Sequence, residues 1–109
     1  MSYEPYIPQT ISEIVDLLGG MMLGPPTMQD ADFPGRSVET EYFALNEGLK
    51  LAREDLGEER YSKLIELSNR MRAHFEADPE DTTGEAHKGY LLIHDMQALL
   101  TGRSAQAKP

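Results

Sequence analysis

Apolar positions recur at helical spacing along most of the chain, and four amphipathic helices can be read from them. In the first, Ile11, Ile14, Val15, Leu18 and Met22 follow the i, i+3, i+4, i+7, i+11 pattern of one helix face. Thr10-Ile11-Ser12-Glu13 has the form of a capping box, with Thr10 accepting from the backbone N–H of Glu13 and Glu13 reaching back to that of Thr10. This predicts a helix start at Ile11. Gly19-Gly20 weakens the second half, which places the end near Leu18 instead of Leu23.

The second helix carries the best periodic signal. Val38, Tyr42, Leu45, Leu49, Ala52 and Leu56 step by alternating intervals of four and three, a seam like that of a coiled coil. Ser37 is placed to cap its start, Glu39 and Glu41 lie at the positive end of its dipole, and Gly57 is placed to end it as a left-handed cap. One uninterrupted helix from Val38 to Ala77 would run about 60 Å, awkward in so small a domain. A break at Gly57 is therefore expected, with Glu58-Glu59 opening the next helix.

That third helix places Tyr61, Leu64, Ile65, Met71 and Phe75 on one face, with Ser68 inside the stripe, and Asp78-Pro79 stops it. The fourth opens on a second candidate capping box, Thr82-Thr83-Gly84-Glu85, and ends at Thr101-Gly102. Leu92, Ile93, Met96, Leu99 and Leu100 form its stripe, Tyr90 lies at the edge, and Leu91 falls roughly opposite. Pro5 and Pro8 make residues 1–9 an extended arm, because proline fixes φ and turns its predecessor away from helix. Pro25-Pro26, Asp30, Asp32 and Pro34-Gly35 make 24–36 a long loop. The fold class is all-α, a small bundle of about four helices over residues 1–102, with a polar tail at 103–109 expected to be disordered.

Composition supports one soluble domain: 109 residues, 39% hydrophobic and 27% charged, are the proportions of an ordinary globular chain. No apolar run approaches the roughly 20 residues needed to span a bilayer, and the first residues lack the basic and apolar regions of a signal peptide. A cytoplasmic location is expected. With 0 Cys, disulfides, thiolate chemistry and sulfur-ligated zinc are excluded. The formal net charge of −9 opposes binding to nucleic acid phosphates and to anionic lipid. Residues 1–55 hold 10 acids and 3 bases, and the remainder 9 acids and 7 bases, so the excess lies mainly in the first half. A field of that sign favours encounter with a basic partner.

Catalytic motifs are absent. There is no Gly-x-Ser-x-Gly elbow, no Ser-x-x-Lys and no glycine spacing that cradles phosphate. His74, His87 and His94 lack the spacing that turns two ligands toward one metal, and His87 and His94 lie on the polar face of the fourth helix. Asp30, Asp32, Gly35 and Glu41 occupy positions 1, 3, 6 and 12 of a calcium loop. Pro34 and Val38, however, remove the ligands at positions 5 and 9, and a turn followed by a helix cap accounts for the segment without calcium. No metal and no cofactor is expected, and an enzyme is unsupported.

The most suggestive feature is apolar material in the expected loop: Met21, Met22, Leu23, Met28 and Phe33 among Gly and Pro. Methionine adapts to irregular surfaces, so these side chains would either plug the end of the bundle or form a contact surface rimmed by Asp30, Asp32, Glu39 and Glu41. The preferred expectation is a non-enzymatic acidic helical protein that binds a basic protein partner, as an inhibitor, an immunity or antitoxin-type protein, or an adaptor. The alternatives are a structural homodimer paired through the seam of helix two or the Leu91 face, and a divalent-metal-dependent helical protein using Asp30, Asp32 and Glu41.

Overall fold

The computed structural model describes residues 5–29 and 35–102; the start of the expected arm, the middle of the expected loop and the expected tail lie outside the described residues. Helices follow one another as α1 (Ile11–Leu23), α2 (Val38–Leu51), α3 (Arg53–Leu56), α4 (Glu58–Glu76) and α5 (Glu85–Leu100), with no strand among the described residues. The chain is an all-α bundle. Contacts run from α1 to α2, α2 to α4, α4 to α5 and α5 back to α1, so the four longer helices close a ring. α4 and α5 form its most extensive pairing.

The seam read from α2 lies in the core: Tyr42, Leu45, Leu49, Ala52 and Leu56 are all buried, alongside Ile14 and Leu18 from α1, Leu64 and Met71 from α4 and Ile93 and Met96 from α5. Leu67 is also buried, although the expected stripe omitted it. α4 packs on α2, α3 and α5 and is covered on more than one side, which widens its buried face. Ser68 lies in the same face and donates its hydroxyl to Asn46 Oδ1 at 3.1 Å, which removes the cost of burying it.

Three expectations about helix ends are corrected. First, α1 does not stop near Leu18 but runs to Leu23. Two glycines cost roughly 1 kcal/mol each in a helix, and burial of Met21 one turn further on offsets this. Gln97 of α5 also donates to the Val15 carbonyl at 3.2 Å, tying α1 to its neighbour.

Second, the expected break at Gly57 is present, between Leu56 and Glu58, but helix two is also interrupted earlier. Ala52, at φ −90° and ψ 2°, separates α2 from the single turn of α3, so five helices stand where four were expected. Ala52 and Leu56 remain buried, and the seam passes through the break. Gly57 follows at φ 84° and ψ 156°, a positive φ that favours glycine but lies outside the left-handed helical region.

Third, Thr82 to Glu85 make no capping box. The N-cap is Gly84, at φ 92°, with no side-chain bond of its own. The capping acceptor comes from Asp78, whose carboxylate accepts from the N–H groups of Thr82 (2.8 Å), Thr83 (3.2 Å) and Ala86 (3.1 Å). Burial disfavours the ionised form of Asp78, yet the backbone donors of Ala86, Thr82 and Thr83 outweigh it and hold the carboxyl below its ordinary value.

Candidate functional site

The start of α2 is set by a reciprocal cap. Thr40 N–H donates to Ser37 Oγ at 3.3 Å and Ser37 N–H to Thr40 Oγ1 at 2.9 Å, so threonine takes the role usually filled by Glu or Gln. This fixes the direction of the acidic first turn. Glu39 and Glu41, two residues apart, point about 200° apart around the helix. They therefore do not form one rim. Glu39 is exposed, whereas Glu41 is 3% exposed, with Oε1 3.3 Å from Arg36 Nε and Oε2 accepting from Thr40 Oγ1 at 3.3 Å.

Each carboxylate lines a different groove. Glu41 belongs to one of about 330 Å³, walled by Pro5, Tyr6 and Pro8 of the arm and by Glu13, Asp16 and Leu17 of α1. Glu39 belongs to one of about 380 Å³, formed by Pro26, Thr27, Ser37 and Val38 against Phe75, Glu76 and Pro79 at the end of α4.

The arm is seated by packing and by one carboxylate. Pro8 is buried against α2 at Gly48, where a Cβ would stand 2.8 Å from Pro8 Cγ. Only glycine admits the arm there. Thr10 caps α1 as expected, accepting from Glu13 N–H at 3.1 Å, while the Glu13 carboxylate takes only minor stabilisation from the Thr10 N–H in return. Its Oε1 instead accepts from Gln9 N–H at 2.7 Å and from the Tyr6 hydroxyl at 2.9 Å. These two bonds hold the Glu13 carboxyl below its ordinary value, and the same contact pushes the Tyr6 hydroxyl up.

The second groove rests on a turn in which Met28 N–H donates to Pro25 O at 2.9 Å. Met28 has a φ of 61°, uncommon for a residue with a side chain, and is 1% exposed. Burial in the core keeps it there. The opposite wall includes Phe75, whose ring centre lies 4.9 Å from that of Tyr90, while the Tyr90 hydroxyl donates to Gly24 O at 2.9 Å. Glu76 in the same wall accepts from Arg72 at 3.1 Å, and the Arg72 guanidinium lies 5.8 Å from the centre of the Tyr42 ring. The Tyr42 hydroxyl is buried without a hydrogen-bond partner among the described residues. Burial pushes its pKa up, an effect opposed by Arg72 and reinforced by Glu76.

The expected binding segment is thus divided. Met21 and Met28 are core residues that present no surface, Met22 is half-buried and packed on the core, and Leu23 is 90% exposed. Asp30, Asp32 and Phe33 lie outside the described residues. The arm and α1 residues of the first groove, and Phe75, Glu76 and Pro79 of the second, were not read as site residues. A glycine in the middle of the strongest helix was the one local sign of a close approach.

His87 and His94 are exposed, and His74 Nδ1 lies 2.9 Å from Glu85 Oε1. Among the described residues no three His, Asp or Glu side chains come together as a ligand set for a metal ion. No helix among them is long and apolar enough to cross a membrane.

Comparison with protein-family models, with curated proteins and with solved structures gives no match to this chain. The functional reading therefore rests on the geometry of the two grooves.

Proposed function

We propose that the chain is a non-enzymatic binding protein that docks on a basic protein partner in the cytoplasm and regulates it, as an inhibitor, an immunity or antitoxin-type protein, or an adaptor. The observation that supports this is the pair of grooves flanking the first turn of α2, each combining apolar walls with carboxylates from two helices. Apolar walls supply desolvated contact, and carboxylates steer a partner of opposite charge. The net charge of −9 strengthens that steering and opposes nucleic acid as the partner.

The test is affinity capture from lysate at low and at moderately high salt, followed by reconstitution of the complex from purified components. A stoichiometric complex with a basic protein, weakening as salt rises, supports the reading. Capture of the bait alone, or a complex indifferent to salt, overturns it.

A homodimer is the second reading, favoured by the half exposure of Leu91 among polar neighbours on α5. The α2 seam does not serve it, because that seam is buried within the bundle. Light scattering decides: a monomer at all concentrations removes this reading.

A further inference from the structure

We propose that the outer face of α5 carries half of a metal site, which zinc completes by bridging two copies of the chain. This face stands apart from both grooves, and an association that depends on metal goes beyond both readings above.

His87 and His94 are exposed and engage no other side chain among the described residues. Seven residues apart on one helix, they stand about 10 Å apart along its axis and within about 20° of the same direction around it. That span is too long for both imidazoles to bind one ion, whose ligands lie about 2 Å from it. Among the described residues no set of three His, Asp or Glu forms around either of them. Each histidine is therefore a single ligand, and a site here needs another from a second chain.

A second copy of the same helix supplies it. Two α5 helices laid antiparallel across a two-fold axis beside Leu91 set His87 of each copy opposite His94 of the other, because the two positions stand at nearly equal distances from that axis. Leu91, 50% exposed, then packs on its own mate at the centre. Charge selects this direction over the parallel one. Antiparallel pairing brings Lys88 beside Asp95 of the other copy, whereas parallel pairing sets Lys88 on Lys88 and Asp95 on Asp95. Within one chain Lys88 bonds Glu85 at 2.9 Å, an exposed pair that leaves its side chain able to turn.

Without metal the pairing lacks a driving force. Stable interfaces bury about 1,200 Å² or more, which one half-exposed leucine among polar neighbours does not approach. A net charge of −9 on each copy also opposes their meeting. Zinc answers both, since it cross-links imidazoles from opposite chains and brings positive charge into the contact. Neutral imidazole is a common zinc ligand, and the remaining tetrahedral positions at each ion are left to water.

The test is light scattering of the tag-free full chain in EDTA and then with one equivalent of zinc chloride, with calorimetry giving the stoichiometry. A monomer in EDTA and a dimer holding one zinc per chain support the proposal. His87→Ala and His94→Ala should each abolish the zinc-dependent dimer, because either removes one ligand from both sites. Mixed together, the two variants should recover it more weakly with one zinc per two chains, since His94 of the first and His87 of the second rebuild a single site. Parallel pairing allows no such rescue. His74→Gln, away from this face, should behave as wild type, and circular dichroism should show every variant folded because both histidines are exposed. Zinc binding without dimerisation, a dimer already present in EDTA, a zinc-dependent dimer in the double variant, or no recovery on mixing would each overturn it.

Discussion

The carboxylate of Asp78, two residues past the end of α4, accepts a hydrogen bond at 3.1 Å from the backbone N–H of Ala86, eight residues further along, and so caps α5. Thr82 and Thr83 donate to the same carboxylate, and three backbone groups that would otherwise be orphaned in the turn are satisfied at once.

Removing that carboxylate should loosen the turn. Asp78→Ala is expected to lower Tm by roughly 5–10 °C, beyond an ordinary cap deletion because more than one N–H loses its acceptor. The sign with pH follows from the lowered pKa: the ionised carboxylate stabilises the fold above the ordinary carboxylate range and loses that contribution as pH falls through its depressed folded value. Thermal melts of wild type and Asp78→Asn from pH 7 to pH 2 should therefore converge at the acid end. Parallel curves would contradict the assignment.

Two glycines in helices should respond differently to alanine. At Gly89 a Cβ would stand 2.7 Å from Phe75 Cε1, and Phe75 is itself 1% exposed and unable to retreat. Gly89→Ala is expected to cost about 1–2 kcal/mol net, overpacking outweighing the gain in helix propensity. At Gly48 the obstacle is Pro8 on the arm, which can lift away. Gly48→Ala should leave the bundle folded while making residues before Thr10 sensitive to limited proteolysis. Denaturant titration and mass spectrometry of the digests read the two effects.

Met21 and Leu23 are two residues apart at 0% and 90% exposure. Met21→Ala should cost about 2–5 kcal/mol, as a buried methionine truncation does, and Leu23→Ser should leave the unfolding midpoint within about 0.5 kcal/mol of wild type. A large loss at Leu23 would mean that this side chain is covered.

These contrasts show what the sequence made legible. Helical periodicity located the seam from Val38 to Leu56 because burial on one face leaves a repeat that any single chain displays. It also placed the starts of α1 and α2, since Thr10 and Ser37 act on N–H groups three residues away. The Thr82 to Glu85 motif misled because the stronger acceptor, Asp78, reaches it through the shape of the turn. Glu85 is drawn off to Lys88 and His74, each 2.9 Å away, and these partners hold its carboxyl below the ordinary value. The grooves were illegible for a related reason: each joins residues distant in sequence, and Glu39 and Glu41 were grouped by proximity in the chain although the helix turns them apart.

That separation gives a further expectation for binding. Glu39→Gln should slow association with a basic partner at low salt and leave stability unchanged, since Glu39 is exposed. Glu41→Gln should instead destabilise the fold by about 1–3 kcal/mol, because it weakens a pairing with Arg36 that is largely withdrawn from water. Stopped-flow association rates beside equilibrium unfolding separate the two, and equal behaviour of both variants would contradict the geometry.

The seat of Pro8 on Gly48 bears on how the arm comes to be docked. A contact between residues forty positions apart closes a large loop, whereas Asp78 joins α4 to α5 within a few residues. The C-terminal hairpin is therefore expected to reach its final connectivity before the arm docks. The arm wall of the groove it shares with α1 is therefore expected to be among the first parts to come away when the chain begins to open.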